Sequence, residues 1–475
     1  MHFLRFVPLT LIGFFVTDTS LAKQLLSADE ARSDIRVMSE ILTTAHPALD
    51  RYQSHTEWQL APDEALNTTN ESLSVIKLNY KVRQLLSAIQ CGHTTSYIPR
   101  EMRMARLYSD SIQVAPLVLA YVDGKPVVVR SLSTHLPENA RIVSINDYSA
   151  DSLMQAWSQF SFPGDAGIST RTPYFVADEF NLFVNDFIGP SEYYELTIEK
   201  DGESQSISVN AITTRSWREA RKAWKNDTHQ PWLDYQQLHD DKIAYLRIRM
   251  FGDYQLENGE RGKYKKFISD SFKSMASVSP KALIIDLREN DGGEGRNGAM
   301  LYAMIAQEPY EYFDRWESKV NEIPHVAHAD ISKIERAAIN SLLKKRMTPT
   351  ENGYRVNSWH GTLSIQEPRD NAYQGPVYVL VDGRTFSAAS DFVAVAKSNK
   401  RVTVIGEETG GAYAGNNSGV TINYKLPHSG IRIQVPLAAG YNKVVNREDK
   451  GGVMPDYVTA PSQALEIALE LINSN

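Results

Sequence analysis

Two stretches of this sequence constrain its fold most, because each has the pattern of a buried strand, a turn of small residues and a helix. One is Ala282–Gly298, ALIIDLRENDGGEGRNG, and the other is Pro376–Gly411, PVYVLVDGRTFSAASDFVAVAKSNKRVTVIGEETGG. Strands that alternate with helices in this way predict an α/β domain. The second turn puts Ser387 where a strand passes into a helix, and the first supplies free backbone amides. A hydroxyl at a helix start, facing a glycine-rich group of amides, suits acyl transfer.

Ser387 has two interpretations. In the segment TFSAASD, Ala388 and Ala389 leave room for a substrate carbonyl beside the hydroxyl, and the helix N-terminus favours a developing negative charge. Serine is also a common helix N-cap, with Asp391 complementing the helix dipole, and taken alone Ser387 favours this structural role. Gly292-Gly293 also has two interpretations. The two glycines either bring backbone N–H groups close to a bound oxygen or form an ordinary turn between a strand and a helix.

A second motif overlaps the first stretch. Gly293–Gly298 fits the pattern G-x-G-x-x-G of dinucleotide-binding sites. In such sites the motif follows its strand directly, whereas Arg288–Gly292 intervene here. The spacing disfavours a nucleotide site, and we expect no cofactor.

A nucleophilic serine needs a base, and the chain has eleven histidines. His93 lies just past an amphipathic helix, in the turn Cys91-Gly92-His93-Thr94, so its side chain is free to project. His46 precedes Pro47, which is more typical of a capping or packed residue. The sequence contains no H-E-x-x-H motif and no Cys/His pairing. It therefore gives no support to metal-dependent hydrolysis, and we expect no metal ligands.

An ordered set of segments gives the chain a family resemblance. These segments are LIIDLRENDGG, TFSAASDF, VIGEETGG, GNNSG, KLPHSGIRIQVPL and GGVMPDY, and together they cover most of residues 242–475. In this order they resemble the carboxyl-terminal-processing (tail-specific) serine peptidases. The resemblance implies a crotonase/ClpP-like α/β peptidase core, a peptide or protein substrate, and hydrolysis through an acyl-enzyme on Ser387.

The resemblance also implies the other members of the site. One branch of the family uses a Lys shortly after a T-x-G segment, but Thr409–Tyr413 contain no Lys. The tricorn-like branch instead uses a His from an earlier domain, which His93 matches, although Gly92 replaces the Ser that precedes that His. The best match for its acid is Glu448, with Asp449 as a close rival. The implied oxyanion hole consists of the backbone amides of Gly293 and Ala388.

The whole chain is predicted to be an α/β multidomain protein. An N-terminal helical region and a PDZ-like β-rich module, both seen in one branch of the family, precede the core. The predicted units are a signal peptide (1–22), the helical domain (23–105), the PDZ-like domain (106–213), a linker or docking segment (214–235) and the peptidase domain (236–475). The insertion at 308–372 is charged, and we expect it to be irregular.

Residues 1–22 have the pattern of a signal peptide. Arg5 is followed by the apolar run Phe6–Val16 and by Ser20-Leu21-Ala22, a small-residue site that predicts cleavage after Ala22. A retained N-terminal anchor is the alternative, which the short apolar run disfavours. An exported chain with Cys91 as its one cysteine has no internal disulfide, which favours a bacterial periplasmic or secreted enzyme.

Composition excludes some partners and leaves one functional alternative. The formal net charge is −7 and there is no long basic run, so nucleic acid is not an expected partner. No other segment is apolar enough to span a membrane, and the oligomeric state stays open. The alternative to an active peptidase is an inactive peptidase-like protein that binds peptides or a small ligand in the same groove.

Overall fold

The computed structural model describes residues 25–52, 55–161, 164–228, 230–239, 242–253, 262–357 and 361–474, without the side chains of residues 55–60. The predicted signal peptide at 1–22 lies outside these residues. Among the helices described, none has both the length and the apolar character needed to cross a bilayer. The fold is an α/β multidomain architecture, as the sequence predicts.

The N-terminal region is mainly helical. Its elements are β1 (Leu25–Leu26), α1 (Ala28–Ala45), α2 (His55–Asn67), β2 (Leu73–Ser74), α3 (Val75–Ser87), β3 (Thr95–Tyr97) and α4 (Arg100–Leu107). A capping box between Ser27 and Glu30 starts α1, which ends at His46. The apolar faces of α1 and α3 belong to the same hydrophobic cluster as the C-terminal core. This region therefore packs as part of the core.

The middle module is a twisted sheet with two helices packed on it. Its elements are β4 (Gln113–Val114), β5 (Leu117–Val122), β6 (Lys125–Ser131), β7 (Arg141–Ile145), β8 (Tyr148–Ser149), α5 (Ala150–Ser158), α6 (Val176–Ile188), β9 (Tyr193–Lys200), β10 (Glu203–Asn210) and β11 (Ile212–Thr213). The order in the sheet is β10-β9-β7-β6-β5. The predicted hairpin through Asp201-Gly202 joins β9 to β10. The likeness to a PDZ domain stays a prediction.

The segment predicted to be a linker or docking segment contains a helix, α7 (Thr214–Asp227). Its Trp217 is buried among Val114, Val118 and Leu182 of the middle module. Burial of that indole stabilises the docked position of α7 by about 2 kcal/mol or more. The segment thus docks on the middle module, while the domain boundaries stay a prediction.

The C-terminal core, which is predicted to be the peptidase domain, is a six-stranded sheet with helices on both faces. Its elements are β12 (Leu233–Leu238), β13 (Ile243–Ile248), α8 (Lys263–Val278), β14 (Ala282–Asp286), α9 (Gly295–Ala303), β15 (Phe313–Ser318), α10 (Lys333–Arg346), β16 (Met347–Thr350), β17 (Gly353–Val356), β18 (Val377–Val381), α11 (Ala388–Ser398), β19 (Thr403–Gly406), β20 (Asn417–Lys425), β21 (Arg432–Asn442), β22 (Tyr457–Val458) and α12 (Ala464–Ser474). The order is β12-β13-β14-β18-β19-β22, parallel except for β12. Alternate strand residues face α12 or the large cluster of α8, α9 and α11.

A second sheet joins the N-terminal region to the core. Its order is β16-β17-β15-β21-β20, and β3 pairs with β21 outside that path. The register of this pairing sets Tyr97 opposite Arg432 and Thr95 opposite Gln434. The expectation that residues 308–372 are irregular is wrong, because they contain β15, α10, β16 and β17.

Ser387 has an unusual backbone conformation at the start of α11. Its φ is 54° and its ψ is −127°, a region that residues with a Cβ seldom adopt. Its side chain makes no capping hydrogen bond to the helix. The ordinary N-cap interpretation therefore does not describe Ser387. Such a conformation costs about 1–3 kcal/mol and persists only where the surrounding packing enforces it.

The strain at Ser387 predicts that Ser387→Gly is more stable than Ser387→Ala. Both variants lose the hydroxyl, but only glycine adopts this conformation freely, so we expect a gain of about 1 kcal/mol after its greater unfolded-state entropy is subtracted. The midpoints of urea unfolding of the two purified variants measure the difference. An alanine variant as stable as the glycine variant would show that Ser387 is not strained.

Candidate active site

Ser387 and His93 are in direct contact. The Nε2 atom of His93 lies 3.0 Å from Oγ of Ser387, although the two residues are 294 positions apart in the chain. Both side chains are part-buried. The distance is within hydrogen-bond range, so the imidazole can take the hydroxyl proton without rearrangement.

The turn that contains His93 is fixed from several sides. Directly after it, β3 pairs with β21, and the side-chain amide of Gln434 on β21 donates to the carbonyl oxygen of His93 at 3.1 Å. The next residue, Thr94, is buried, and its Oγ1 lies 3.1 Å from Nε2 of His46. His46 thus helps to hold the turn in place through Thr94.

The surroundings of His93 favour its neutral form. The ring stacks on Phe386, with centroids 4.7 Å apart. The guanidinium of Arg171 lies 3.7 Å from the centroid of the same Phe386 ring. Burial, and then the positive charge of Arg171, lower the pKa of His93 to about 3. The imidazole is therefore neutral near pH 7, as a general base must be.

The predicted oxyanion amides lie beside the nucleophile. Phe251 binds the backbone on either side of Gly293: its N–H donates to Gly292, and its carbonyl accepts from Glu294. Gly293 itself is exposed. A Cβ on Gly292 would lie 2.7 Å from Cβ of Ser387 and 3.0 Å from the nitrogen of Ala388. The glycine turn and the start of α11 thus approach each other as an oxyanion hole requires.

Two side chains that the sequence analysis did not single out hold this turn. Asn290 accepts from the Gly292 N–H at 2.8 Å and donates to the Ile248 carbonyl at 2.8 Å. Asp291 forms ion pairs with Arg171, at 3.1 Å, and with Arg384. In the sequence, Asn290 and Asp291 stand out only as polar residues beside a glycine turn. Such residues are too common to mark these two as part of a site.

Neither acid expected from the resemblance is in contact with His93. Glu448 and Asp449 are both exposed. Glu448 lines a cavity of about 400 Å³ together with Arg51 and Tyr52. Asp449 accepts a hydrogen bond from the Gly451 N–H at 3.0 Å. The described residues contain no hydrogen bond or ion pair from either carboxylate to the imidazole.

A different carboxyl group lies near His93. Asp165, on a 3₁₀ turn (Asp165–Gly167) of the middle module, is fully buried, and its Oδ1 accepts from the Gly92 N–H at 2.9 Å. Atoms of Cys91, His93 and Asp165 all lie within 4.8 Å of one another. The sequence analysis missed Asp165, because nothing local in Gly164-Asp165-Ala166-Gly167 distinguishes it from an ordinary turn.

A thiol, an imidazole and a carboxyl group are also residue types that bind metal ions. In the part of the chain that the structure describes, these three form the one such group. Burial, however, raises the pKa of Cys91 to about 11, so its thiol is protonated near pH 7. Nε2 of His93 is directed to Ser387.

Comparison with known proteins bears on both the fold and the core. A model of peptidase family S41 matches residues 242–459. A crystal structure of a CPAF mutant is similar along 94% of this chain and 98% of that chain, with a TM-score of 0.64 and 14% identity. A structure of mature CPAF complexed with lactacystin covers 94% and 99%, with a TM-score of 0.61 and 14% identity. No curated protein sequence matches the chain.

The structural similarity is at the level of the fold, since the identities are low. The family match includes Gly293, Ser387, Ala388 and Glu448. It begins at residue 242, so His93 and Asp165 lie outside it. Residues 242–459, which contain the Ser387 turn and the glycine turn, are therefore similar to peptidase family S41.

Proposed function

We propose that this protein is a serine peptidase in which Ser387 is the nucleophile and His93 the general base. The observation that supports the proposal most strongly is the 3.0 Å contact between Oγ of Ser387 and Nε2 of His93. The strained backbone of Ser387 and the lowered pKa of His93 support it as well. Both features are typical of groups held ready for reaction.

In the proposed reaction, Oγ of Ser387 attacks the carbonyl carbon of the scissile peptide bond while its proton passes to Nε2 of His93. The negative charge that forms on the carbonyl oxygen is stabilised by the amides of Gly293 and Ala388. His93 then gives its proton to the leaving amine, and an ester on Ser387 remains. Water, deprotonated by His93, hydrolyses this ester and releases the acid product.

The substrate of the proposed activity is a peptide or protein, as the family implies. Export belongs to the same proposal and rests on the sequence pattern of residues 1–22. If that pattern is a signal peptide, N-terminal sequencing of the protein recovered from the expressing bacterium will start at Lys23. A protein that retains Met1 would contradict export by this route.

We expect Ser387→Ala and His93→Ala each to lower kcat on casein or another unstructured protein by on the order of 10⁴-fold or more, because each removes one partner of the proton transfer. Labelling by a fluorophosphonate probe should be lost in Ser387→Ala. The matched control is Ser398→Ala, at the other end of α11, which should label and cleave like the wild type.

A wild-type protein that neither reacts with the probe nor cleaves the substrate would contradict the proposal. That result would favour the alternative of an inactive protein that binds peptides in the same groove. Labelling that persists in Ser387→Ala would place the reactive hydroxyl elsewhere.

Gly292→Ala should impair catalysis through the oxyanion hole. The added Cβ would lie 2.6 Å from the Phe386 carbonyl oxygen and 2.7 Å from Cβ of Ser387, and φ at this position is +98°. We expect kcat to fall on the order of 100-fold, as when one oxyanion donor is lost. Gly295→Ala, at the start of α9, is the control, because its Cβ would meet only the Phe313 ring at 3.5 Å. Equal activity of the two variants would argue against this oxyanion hole.

A further inference from the structure

Asp165 is a buried carboxyl group that the proposed mechanism leaves without a role. Its side chain is fully buried, and only Oδ1 has a hydrogen-bond partner, the Gly92 N–H. Oδ2 makes no hydrogen bond of ordinary geometry within the described part of the chain, although the Ala412 N–H is close enough to lower the pKa of this carboxyl group. A buried carboxylate oxygen without a partner costs free energy, so its retention calls for a second interaction.

The imidazole of His93 also has a nitrogen atom that lacks a hydrogen-bond partner among the described residues. Its Nε2 faces Ser387, whereas Nδ1 is buried and without a hydrogen-bond partner among the described residues. A ring nitrogen of His93 and a carboxylate oxygen of Asp165 lie within 4.8 Å of each other. Since Nε2 is directed to the serine, Nδ1 is the nitrogen available to Asp165. Hydrogen bonds between catalytic groups are often long without substrate and shorten in the complex.

We infer that Asp165 is the acid partner of His93 and accepts a hydrogen bond from its Nδ1–H, directly or through one water molecule. This inference rests on the proposed function and replaces Glu448 and Asp449 in the role of the acid. Asp165 is a positioning residue: it fixes the tautomer of His93 that leaves Nε2 free to accept the proton of Ser387. The carboxylate also stabilises the imidazolium that forms, without itself taking the proton.

The charges around Asp165 are compatible with this role. Burial raises its pKa to about 6, against the lowering effects of the Gly92 N–H, Arg51, Arg171 and the Ala412 N–H. Titratable and charged groups face it from all three parts of the site: Arg51, Tyr52, Cys91 and His93 from the N-terminal region, Arg171 from the middle module, and Asp391 from the core. Asp165 is thus ionised near pH 7 and becomes protonated as the pH falls through about 6.

The first experiment compares kcat and KM of two Asp165 variants, Asp165→Asn and Asp165→Ala, with those of the two control variants Glu448→Gln and Asp449→Asn. Asparagine keeps the Oδ1 that binds Gly92 but loses the negative charge. We expect kcat of Asp165→Asn to fall on the order of 10³- to 10⁴-fold with KM changed less than about threefold, and Asp165→Ala to be no better. Glu448→Gln and Asp449→Asn should keep wild-type kcat. Near-normal turnover in Asp165→Asn, with loss only in Asp165→Ala, would overturn the inference in favour of a purely structural role.

The pH dependence of kcat/KM gives a second readout. In the wild type, we expect activity to fall as the pH drops through about 6, where Asp165 is protonated. In Asp165→Asn this acid limb should move to lower pH, because burial and Arg171 keep the pKa of His93 low and no carboxylate opposes them. An unchanged acid limb would count against Asp165.

A third readout needs no catalysis. Proton NMR of the wild type should contain a far-downfield resonance from Nδ1–H of His93 that is lost in His93→Ala and Asp165→Asn but kept in Ser387→Ala and Glu448→Gln. Loss of the signal in Glu448→Gln alone would assign the acid to Glu448 and overturn the inference. If the wild type neither labels nor cleaves, the proposed function fails, while this signal still tests the contact between Asp165 and His93.

Discussion

The site depends on the pairing of β3 with β21. Three backbone pairs set residues 95–97 against 432–434, and the Gln434 side chain binds the carbonyl oxygen of His93. This pairing alone would be weak, since a three-residue strand makes few hydrogen bonds. It is stable because α1 and α3 share one hydrophobic cluster with the core, so the packing that folds the N-terminal region also orders the turn before β3. The imidazole therefore reaches Ser387 through long-range packing and not through any local signal.

The conformation of Ser387 depends on a second constraint, the close approach of two backbone turns. The glycine turn that follows β14 lies against Ser387 and Ala388, where any side chain on Gly292 would collide. Phe386 N–H donates to the Asn290 carbonyl at 3.0 Å, which joins the two turns directly. These contacts hold Ser387 at a positive φ and keep its side chain away from the helix it precedes. The same packing that strains the serine thus exposes its hydroxyl to His93 and to the amides.

Sequence reasoning succeeds where the determining interactions are local. The strands Ile243–Ile248 and Val377–Val381 lie where their apolar runs predict them, and Ser387 lies at the predicted helix start. His93 became a candidate because a glycine-flanked turn follows an amphipathic helix, but its contact with Ser387 comes from long-range packing. The strands within residues 308–372 could not be predicted in this way, because β15 forms by pairing with β21, more than a hundred residues away. Asp165 was missed for the same reason: its burial and its neighbours come from three parts of the chain, and the local sequence resembles any turn. The expectation of Glu448 came from resemblance, which transfers a position without its contacts.

The middle module contributes to the site more than its place in the sequence suggests. The Asp165 N–H donates to the Gly410 carbonyl at 3.1 Å and the Ala166 N–H to the Gln90 carbonyl at 2.8 Å, so one short turn is bound to the core on one side and to the N-terminal region on the other. Further along, Tyr174 donates to Glu407 at 2.5 Å. Backbone bonds of this kind fix position more strictly than flexible side chains do. A displacement of the middle module would therefore move Asp165 and Arg171 together, and with them both the orientation and the charge balance of His93. The candidate site is consequently a property of the assembled parts, because no single one contains Ser387, His93 and the groups that hold His93 in place.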